Sequence, residues 1–296
     1  MCSVRAVDRL HQPSPEVFYR NYVRRNLPVV ITGVADEWPA VGRWSPEYFR
    51  ATFGNARVMF TAWESNNPKN DPEDYYQNRK RLCSRLGHFI NYLHSGVDVS
   101  RNYITQFPIF REIPQLKNDT QPLERYMNIP RYLPVPARKK LQKTPTMWLG
   151  PAQTVTPIHF DSADNLLVQI YGRKKLTLVS PAQSDRLYYP CLRLGHVIYS
   201  PVDVEEPDYD RFPLYQQATP FAVMLEPGDI LFIPVRWWHH ARSLSESISL
   251  NFWWFSVRSL LRMRHPYFVY KKSRVLNRLR SNAKGSTDYA DYAETS

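Results

Sequence analysis

The sequence predicts a mainly β fold, an all-β barrel or double-sheet jelly roll, reached through an α/β extension. Three observations carry this expectation. From about residue 146 the apolar residues recur with period two rather than at helical spacing. The chain holds 25 prolines against 10 glycines, which favours short segments with stiff connections over long helices. The β-branched and aromatic runs are separated by Gly/Pro turns, as in barrels and jelly rolls built from many short strands. With 296 residues the chain can bury a sizeable core in one large domain or two small ones.

The elements follow in order. Ser14-Pro15-Glu16 is a helix start, with serine as cap and proline in the first turn, and Val17, Phe18, Tyr22 and Val23 recur at helical spacing. Residues 28–32 form a β-branched strand ended by Gly33. Ser45-Pro46-Glu47 repeats the cap signal before Tyr48 and Phe49. Residues 66–74 are polar and contain proline, a loop, and residues 86–93 read as a short helix. Later strands are expected at 147–149, at 154–160 (interrupted by Pro157), at 165–171 and at 174–179 across a Gly172-Arg173 turn. After an Asp/Pro-rich loop at 200–213, strands resume at 221–225, 229–234 and 247–254. No internal repeat occurs at solenoid spacing.

Composition removes several function classes. No run approaches the roughly 18 apolar residues of a membrane span, and the first residues lack the apolar stretch of a secretory signal. Cys2, Cys83 and Cys191 are odd in number and widely spaced, which fits neither a disulfide framework nor a zinc site. Free thiols in a reducing compartment are expected, hence a cytoplasmic protein, or also a nuclear one if the source is eukaryotic. The net charge of +12 is uneven: residues 257–280 hold eight Lys or Arg and no acid. That stretch is expected to form a basic helical appendage, usable for homodimerisation or for docking an acidic partner, with a polar, disordered tail beyond residue 281. No zinc finger, RNP-like run or helix-turn-helix accompanies it, so nucleic-acid binding is left open without support.

The chemistry concentrates in a few residues. His159 and Asp161 lie two apart, which on a strand places both side chains on one face. A further histidine from another strand completes a two-histidine, one-carboxylate face that leaves coordination positions open, the arrangement of non-haem Fe(II) oxygenases. His239 and His240 are the candidates. His239 shares its face with Ala241 and Ser243, whereas His240 is in phase with Arg242, so the barrel interior favours His239 and leaves His240 a supporting or surface ring. Lys174 is in phase with Leu176 and Leu178, and a lysine facing inward needs a carboxylate to meet it. Asn251 shares its face with Ser249 and Trp253, a polar stripe suited to lining a pocket.

Together the runs Trp148-Leu149-Gly150, Thr156-Pro157-Ile158-His159-Phe160-Asp161, Asn165-Leu166-Leu167-Val168-Gln169, Gly172-Arg173-Lys174 and Pro227-Gly228-Asp229-Ile230-Leu231-Phe232-Ile233-Pro234, leading to Trp238-His239, resemble the JmjC, or cupin-like, 2-oxoglutarate oxygenase family. The likeness covers roughly residues 28–254 and is greatest to the family's small protein hydroxylases, of the factor-inhibiting-HIF and JmjC arginyl hydroxylase kinds. It implies a double-stranded β-helix (jelly-roll or cupin) fold, with an extension at 1–143, a core at 144–256 and the appendage at 257–296. It also implies Fe(II) and 2-oxoglutarate as cosubstrate. His159, Asp161 and His239 match the iron ligands and catalytic centre, and Lys174 matches the anchor for the distal carboxylate of 2-oxoglutarate. Thr156, Asn165 and Tyr103 match its pocket neighbours, with Asn251 beside them, and Trp148 and Trp253 match aromatics near the substrate mouth. One departure stands out: where the arginyl hydroxylase has an acid on the strand after its second helix, residues 57–63 have none, and Glu64 is the nearest.

The expected function is hydroxylation of a side chain on a peptide or protein. An aromatic rim of Trp148, Trp237 and Trp253 would support an extended chain, and the basic charge would favour acidic sequence around the target. Demethylation of N-methyl-lysine, or hydroxylation of tRNA or a small molecule, would use the same cofactor. A non-catalytic cupin binding module would be expected to show a broken triad, and this one is intact.

Overall fold

The computed structural model describes residues 4–63, 79–95, 102–127, 129, 134–189 and 199–256. The expected loop at 66–74, Cys2, Cys191 and the basic segment from 257 onward lie outside them.

Two mixed sheets face each other as a jelly roll, and the strand expectations were largely met. The larger sheet runs β2(Arg9–His11)–β3(Val29–Thr32)–β12(Ile230–Ile233)–β9(Asp164–Tyr171)–β14(Ser247–Trp254)–β7(Thr146–Gly150)–β6(Ile104–Phe107). The smaller runs β1(Arg5–Ala6)–β11(Phe221–Leu225)–β10(Lys174–Val179)–β13(Trp238–Ser243)–β8(Val155–Phe160). A separate pair, β4(Arg57–Trp63) and β5(Arg79–Arg85), is antiparallel. Proline does not interrupt β8. That strand lies at the edge of its sheet, where a residue without an amide N–H is tolerated.

Both faces of the larger sheet are covered, so its central strands are buried along their whole length. Leu166, Val168, Leu250, Phe252 and Phe232 point to the extension, where they meet Phe18, Trp38 and Phe49 in the largest core cluster. Phe18 sets its ring edge-on to Phe232 at 5.1 Å. The extension's helices are short because prolines and caps bound them. Ser14 Oγ accepts from Val17 N (3.2 Å) at α1(Pro15–Phe18), which continues as a π-helical turn at Tyr19–Val23. After α2(Pro39–Arg43), Ser45 Oγ accepts from Tyr48 N (3.1 Å) at α3(Pro46–Phe53). α4(Leu86–Leu93) follows β5, then α5(Ile109–Glu112) and α6(Val135–Leu141). The short α2, α5 and α6 carried no periodic signal long enough to read from sequence.

A tight turn joins β9 to β10. Gly172 has φ +68°, and a Cβ there would come within 1.9 Å of the Glu246 carbonyl oxygen, so only glycine fits. This turn sets the phase of Lys174. Lys174, Leu176 and Leu178 face inward, as the alternation predicted.

Trp237 is a correction to the expected aromatic rim. Its indole N–H donates to the Asn26 carbonyl (2.8 Å), and its ring packs with Leu176, Leu178 and Phe221 in a core cluster. The tryptophan is 2% exposed and offers nothing to a substrate.

Candidate metal centre and cosubstrate pocket

His159 and His239 are directly opposite on β8 and β13, and their rings lie 4.2 Å apart, centre to centre. Asp161 follows β8, its backbone held by Arg236 N donating to the Asp161 carbonyl (3.0 Å). The Nε2 of His239 is 3.8 Å from Asp161 Oδ2. One ligand atom from each of the three residues falls within a 4.8 Å cluster. Each imidazole donates Nδ1–H to a backbone carbonyl: His159 to Pro157 (2.8 Å) and His239 to Trp237 (2.9 Å). This fixes the tautomer and leaves both Nε2 lone pairs free to ligate a cation.

Burial, and then the neighbouring His239, push His159 down to about 3, so it is a neutral ligand at physiological pH. Burial alone would raise the Asp161 carboxyl. His239, His159, Lys143 and the hydrogen bond from Trp253 outweigh it and hold the group below its ordinary value, hence anionic. Two imidazoles and a carboxylate are the donor set suited to a divalent iron with open positions.

Strict alternation would put Thr156 on the face opposite His159. The register shows otherwise: His239 pairs with His159 but Ala241 pairs with Thr156, so β8 carries one extra residue between them. This bulge returns Thr156 to the face of His159 and His239. Period-two reading of the sequence cannot detect such an insertion.

Lys174 is 3% exposed, and its Nζ donates to Ser249 Oγ (2.8 Å) and Tyr103 OH (3.3 Å). It meets no carboxylate among the described residues, and burial lowers it to about 7. Tyr103, buried itself, reaches this point because Gly150 leaves room: a Cβ there would come within 2.5 Å of the tyrosine ring. Lys174 lies four residues along β10 from Leu178, the partner of His239, or roughly 13 Å up the strand. Between them the larger sheet contributes Ser249, Asn251 and Trp253, set opposite Gln169, Leu167 and Asn165. Asn251 is buried, and Asn165 Oδ1 is buried without a donor among the described residues. A buried lysine that meets no carboxylate among the described residues is what a pocket shaped for an anionic ligand leaves behind, and the undonated Asn165 oxygen, opposite Trp253 at the other end, suits a ligand or water that donates.

The two remaining predicted residues differ. Trp253 is 7% exposed and donates Nε1–H to Asp161 Oδ2 (2.9 Å), so it orients the carboxylate from within rather than lining a mouth. Trp148 is half-buried with its ring 5.5 Å from that of Tyr103. His240 is not a surface ring: it is 3% exposed and faces away from the pocket, with Nε2 3.8 Å from Glu205, itself clamped by Arg242 (2.6 Å). Burial lowers His240 to about 4, which keeps it neutral beneath that pair.

Two contributors went unread in the sequence. Tyr199 stacks on His159 at 5.1 Å and forms a bridge with it. Lys143 lies over the rings of Trp253 and Phe255 (5.7 and 5.5 Å). Both arrive from connections remote from the motif, where no local pattern marks them.

Comparison with known proteins agrees with this architecture. Residues 14–259 match the family described as Cupin-like domain. The chain is 36% identical over 249 residues to Lysine-specific demethylase 8 of Xenopus tropicalis, an alignment covering 84% of this chain and 53% of that protein. It is 28% identical over 284 residues to the human Bifunctional peptidase and (3S)-lysyl hydroxylase JMJD7, covering 86% of this chain and 85% of the relative. It is also 28% identical over 256 residues to tRNA wybutosine-synthesizing protein 5 of Gallus gallus, covering 81% and 74%. The chain thus spans about half the length of the first of these and most of the other two. With the model match spanning nearly the whole jelly roll and its extension, the chain belongs to the cupin-like JmjC domain family.

Proposed function

We propose that the chain is an Fe(II)- and 2-oxoglutarate-dependent dioxygenase that hydroxylates a side chain on a peptide or protein. The observation that carries this reading is Lys174: a buried lysine, without a carboxylate partner among the described residues, in the same interior as a preorganised His-Asp-His donor set. Burying an unmatched ammonium is costly, and a dicarboxylate cosubstrate supplies the missing charge.

His159, Asp161 and His239 would hold the iron, which when bound supplies oxygen activation coupled to oxidative decarboxylation of 2-oxoglutarate. The rest is done by the chain. Ser249 and Tyr103 aim the Lys174 ammonium at the distal carboxylate, and Tyr103 O–H can donate to the same group. Thr156, Asn165 and Asn251 present polar atoms along the cosubstrate's length. Trp253 keeps Asp161 in its ligating orientation, and the packed Leu167, Leu176 and Leu178 exclude water from the deeper interior.

Two relatives bear names of lysine chemistry, one a demethylase and one a hydroxylase. A shared oxidant serves both, since hydroxylating an N-methyl group releases it as formaldehyde. The test is incubation of the iron-loaded chain with 2-oxoglutarate and a cell-extract peptide library, and separately with tRNA and a metabolite pool. Succinate release with a gain of one oxygen, about 16 Da by atomic mass, on peptides supports the proposal. Loss of a methyl unit with formaldehyde would move it to demethylation. Oxidation confined to tRNA or metabolites would overturn the protein substrate, and no succinate under any condition would leave a binding module.

A further inference from the structure

One isolated bridge, Thr61 to Tyr103, ties the β4–β5 pair to the edge of the larger sheet just before β6. Thr61 and Tyr103 exchange both backbone hydrogen bonds (2.8 and 3.0 Å), so their side chains rise from one face. Tyr103 is the partner of Lys174, which puts Thr61 at the edge of the proposed cosubstrate pocket. In phase with Thr61 on β4 are Met59 and Arg57, and opposite these three residues on β5 stand Arg81, Cys83 and Arg85. Of the six, only Thr61 is buried. They form the floor of an open groove of about 800 Å³, walled on one side by β6 and α5.

Among the described residues this floor is cationic and under-neutralised. Arg57 faces Arg85 directly, a like-charge pairing that works against the sheet. Arg57 and Arg81 meet no carboxylate among the described residues, and Arg85 gives its Nη1 only to the Asn55 carbonyl (2.7 Å). Glu112, on the wall, is already paired with Arg111 (2.9 Å). Between the arginines the Met59–Cys83 pair leaves an apolar centre.

We propose that this face docks an acidic stretch of the polypeptide substrate, several residues along from the one to be modified. The step from Arg57 to Thr61 is four residues, roughly 13 Å, so an extended peptide with carboxylates about four residues apart meets both basic ends at once. The apolar centre takes the side chain between them. Single-stranded nucleic acid is the poorer fit because it needs exposed aromatic platforms. Phe60 and Phe107 line the groove but pack inward, Phe60 against Phe89 at 4.9 Å and Phe107 within the main core. Identifying the bound stretch as substrate rests on the hydroxylase reading; the binding itself does not.

The experiment measures fluorescence anisotropy on the full chain. The probes are a labelled decapeptide of alternating Glu and Ala, its Gln/Ala counterpart, and a labelled single-stranded oligonucleotide. The Glu peptide is expected to bind about tenfold or more tightly than the Gln peptide, with the difference collapsing in high salt. The double variant Arg57→Gln/Arg81→Gln should lose roughly tenfold for the Glu peptide only, and Arg57→Lys/Arg81→Lys, which keeps the charge, should largely restore binding. Equal binding of the two peptides, wild-type binding by the Gln variant, failure of the Lys variant to restore binding, or tighter capture of the oligonucleotide would each overturn the proposal. Succinate formation without peptide, assayed separately, reports on the oxygenase reading alone, so the two ideas fail independently.

Discussion

Among the described residues two places bring three metal-competent side chains together, and they are built very differently. His159, Asp161 and His239 converge in the jelly roll; Glu47, His94 and Glu246 converge on the surface, again with ligand atoms within 4.8 Å of one another. In the first, each histidine is committed through Nδ1 to a backbone carbonyl, of Pro157 or of Trp237, and Trp253 anchors the Asp161 carboxylate, so the side chains are held in place before any cation arrives. In the second, His94 Nε2 is already engaged by Glu246 at 3.0 Å, and the two side chains remain 41% and 23% exposed. Its donors come from α3, from the end of α4 and from the β13–β14 turn. Proximity of donors is therefore common to both, and the hydrogen bonds behind them distinguish a prepared centre from an ion pair with a neighbour.

The largest effect that could break this comparison comes from the triad itself. Asp161→Ala or His239→Ala should empty the centre and drop 2-oxoglutarate turnover to background, while Glu246→Gln should leave one metal equivalent per chain. Metal content by plasma mass spectrometry checks both, and two equivalents in the wild type, falling to one in Glu246→Gln, would put the surface cluster on the same footing. His240→Ala should keep the metal, since that ring faces Glu205.

Lys174→Met comes next. Loss of a buried charge-assisted pair costs roughly 2–5 kcal/mol, so the 2-oxoglutarate requirement should rise about thirtyfold or more. The sign of its effect on stability is opposite. Burial lowers Lys174 to about 7 from an ordinary 10.5. The unfolded chain therefore binds more protons between those values, and the lysine's penalty, full below pH 7, fades as pH rises towards 10.5. Ligand-free Lys174→Met should be more stable than wild type at pH 7, and the gap should narrow at pH 9 in parallel denaturant titrations. Equal cosubstrate affinity in the two proteins would remove Lys174 from the pocket.

Trp253→Phe sharpens the comparison at lower cost. It keeps the packing but deletes the donor to Asp161, and metal affinity should fall about tenfold to a hundredfold with little change in fold, read by competition with a chelating dye. The smallest effect belongs to the surface cluster. Glu246→Gln should change stability by no more than about 0.5 kcal/mol, because its pair with His94 is open to solvent.

Much of the core was legible because its signals are local. Alternation along residues 165–171 and 174–179, glycine and proline at the turns, and serine-proline helix starts each reflect one residue's own stereochemistry. The His159–Asp161 spacing and the phase that chose His239 over His240 belong to the same kind. Non-local geometry was not legible. The β8 bulge that turns Thr156 to the face of His159 and His239 exists only in register with β13. Trp237 was expected at a rim and proved to be core, because a tryptophan's hydrophobicity does not say which end of a barrel it closes.

The sequence alone thus determined the jelly-roll class, the His-Asp-His set and the inward lysine, because each follows from strand periodicity and from the cost of burying charge. Only the tertiary structure decided that Trp253 steadies Asp161, that Tyr199 covers His159, that His240 is sealed under Glu205, and that three arginines share one open face beside Thr61. Those relations join residues up to about a hundred positions apart. They are set by how strands pair and sheets pack, which no local pattern encodes.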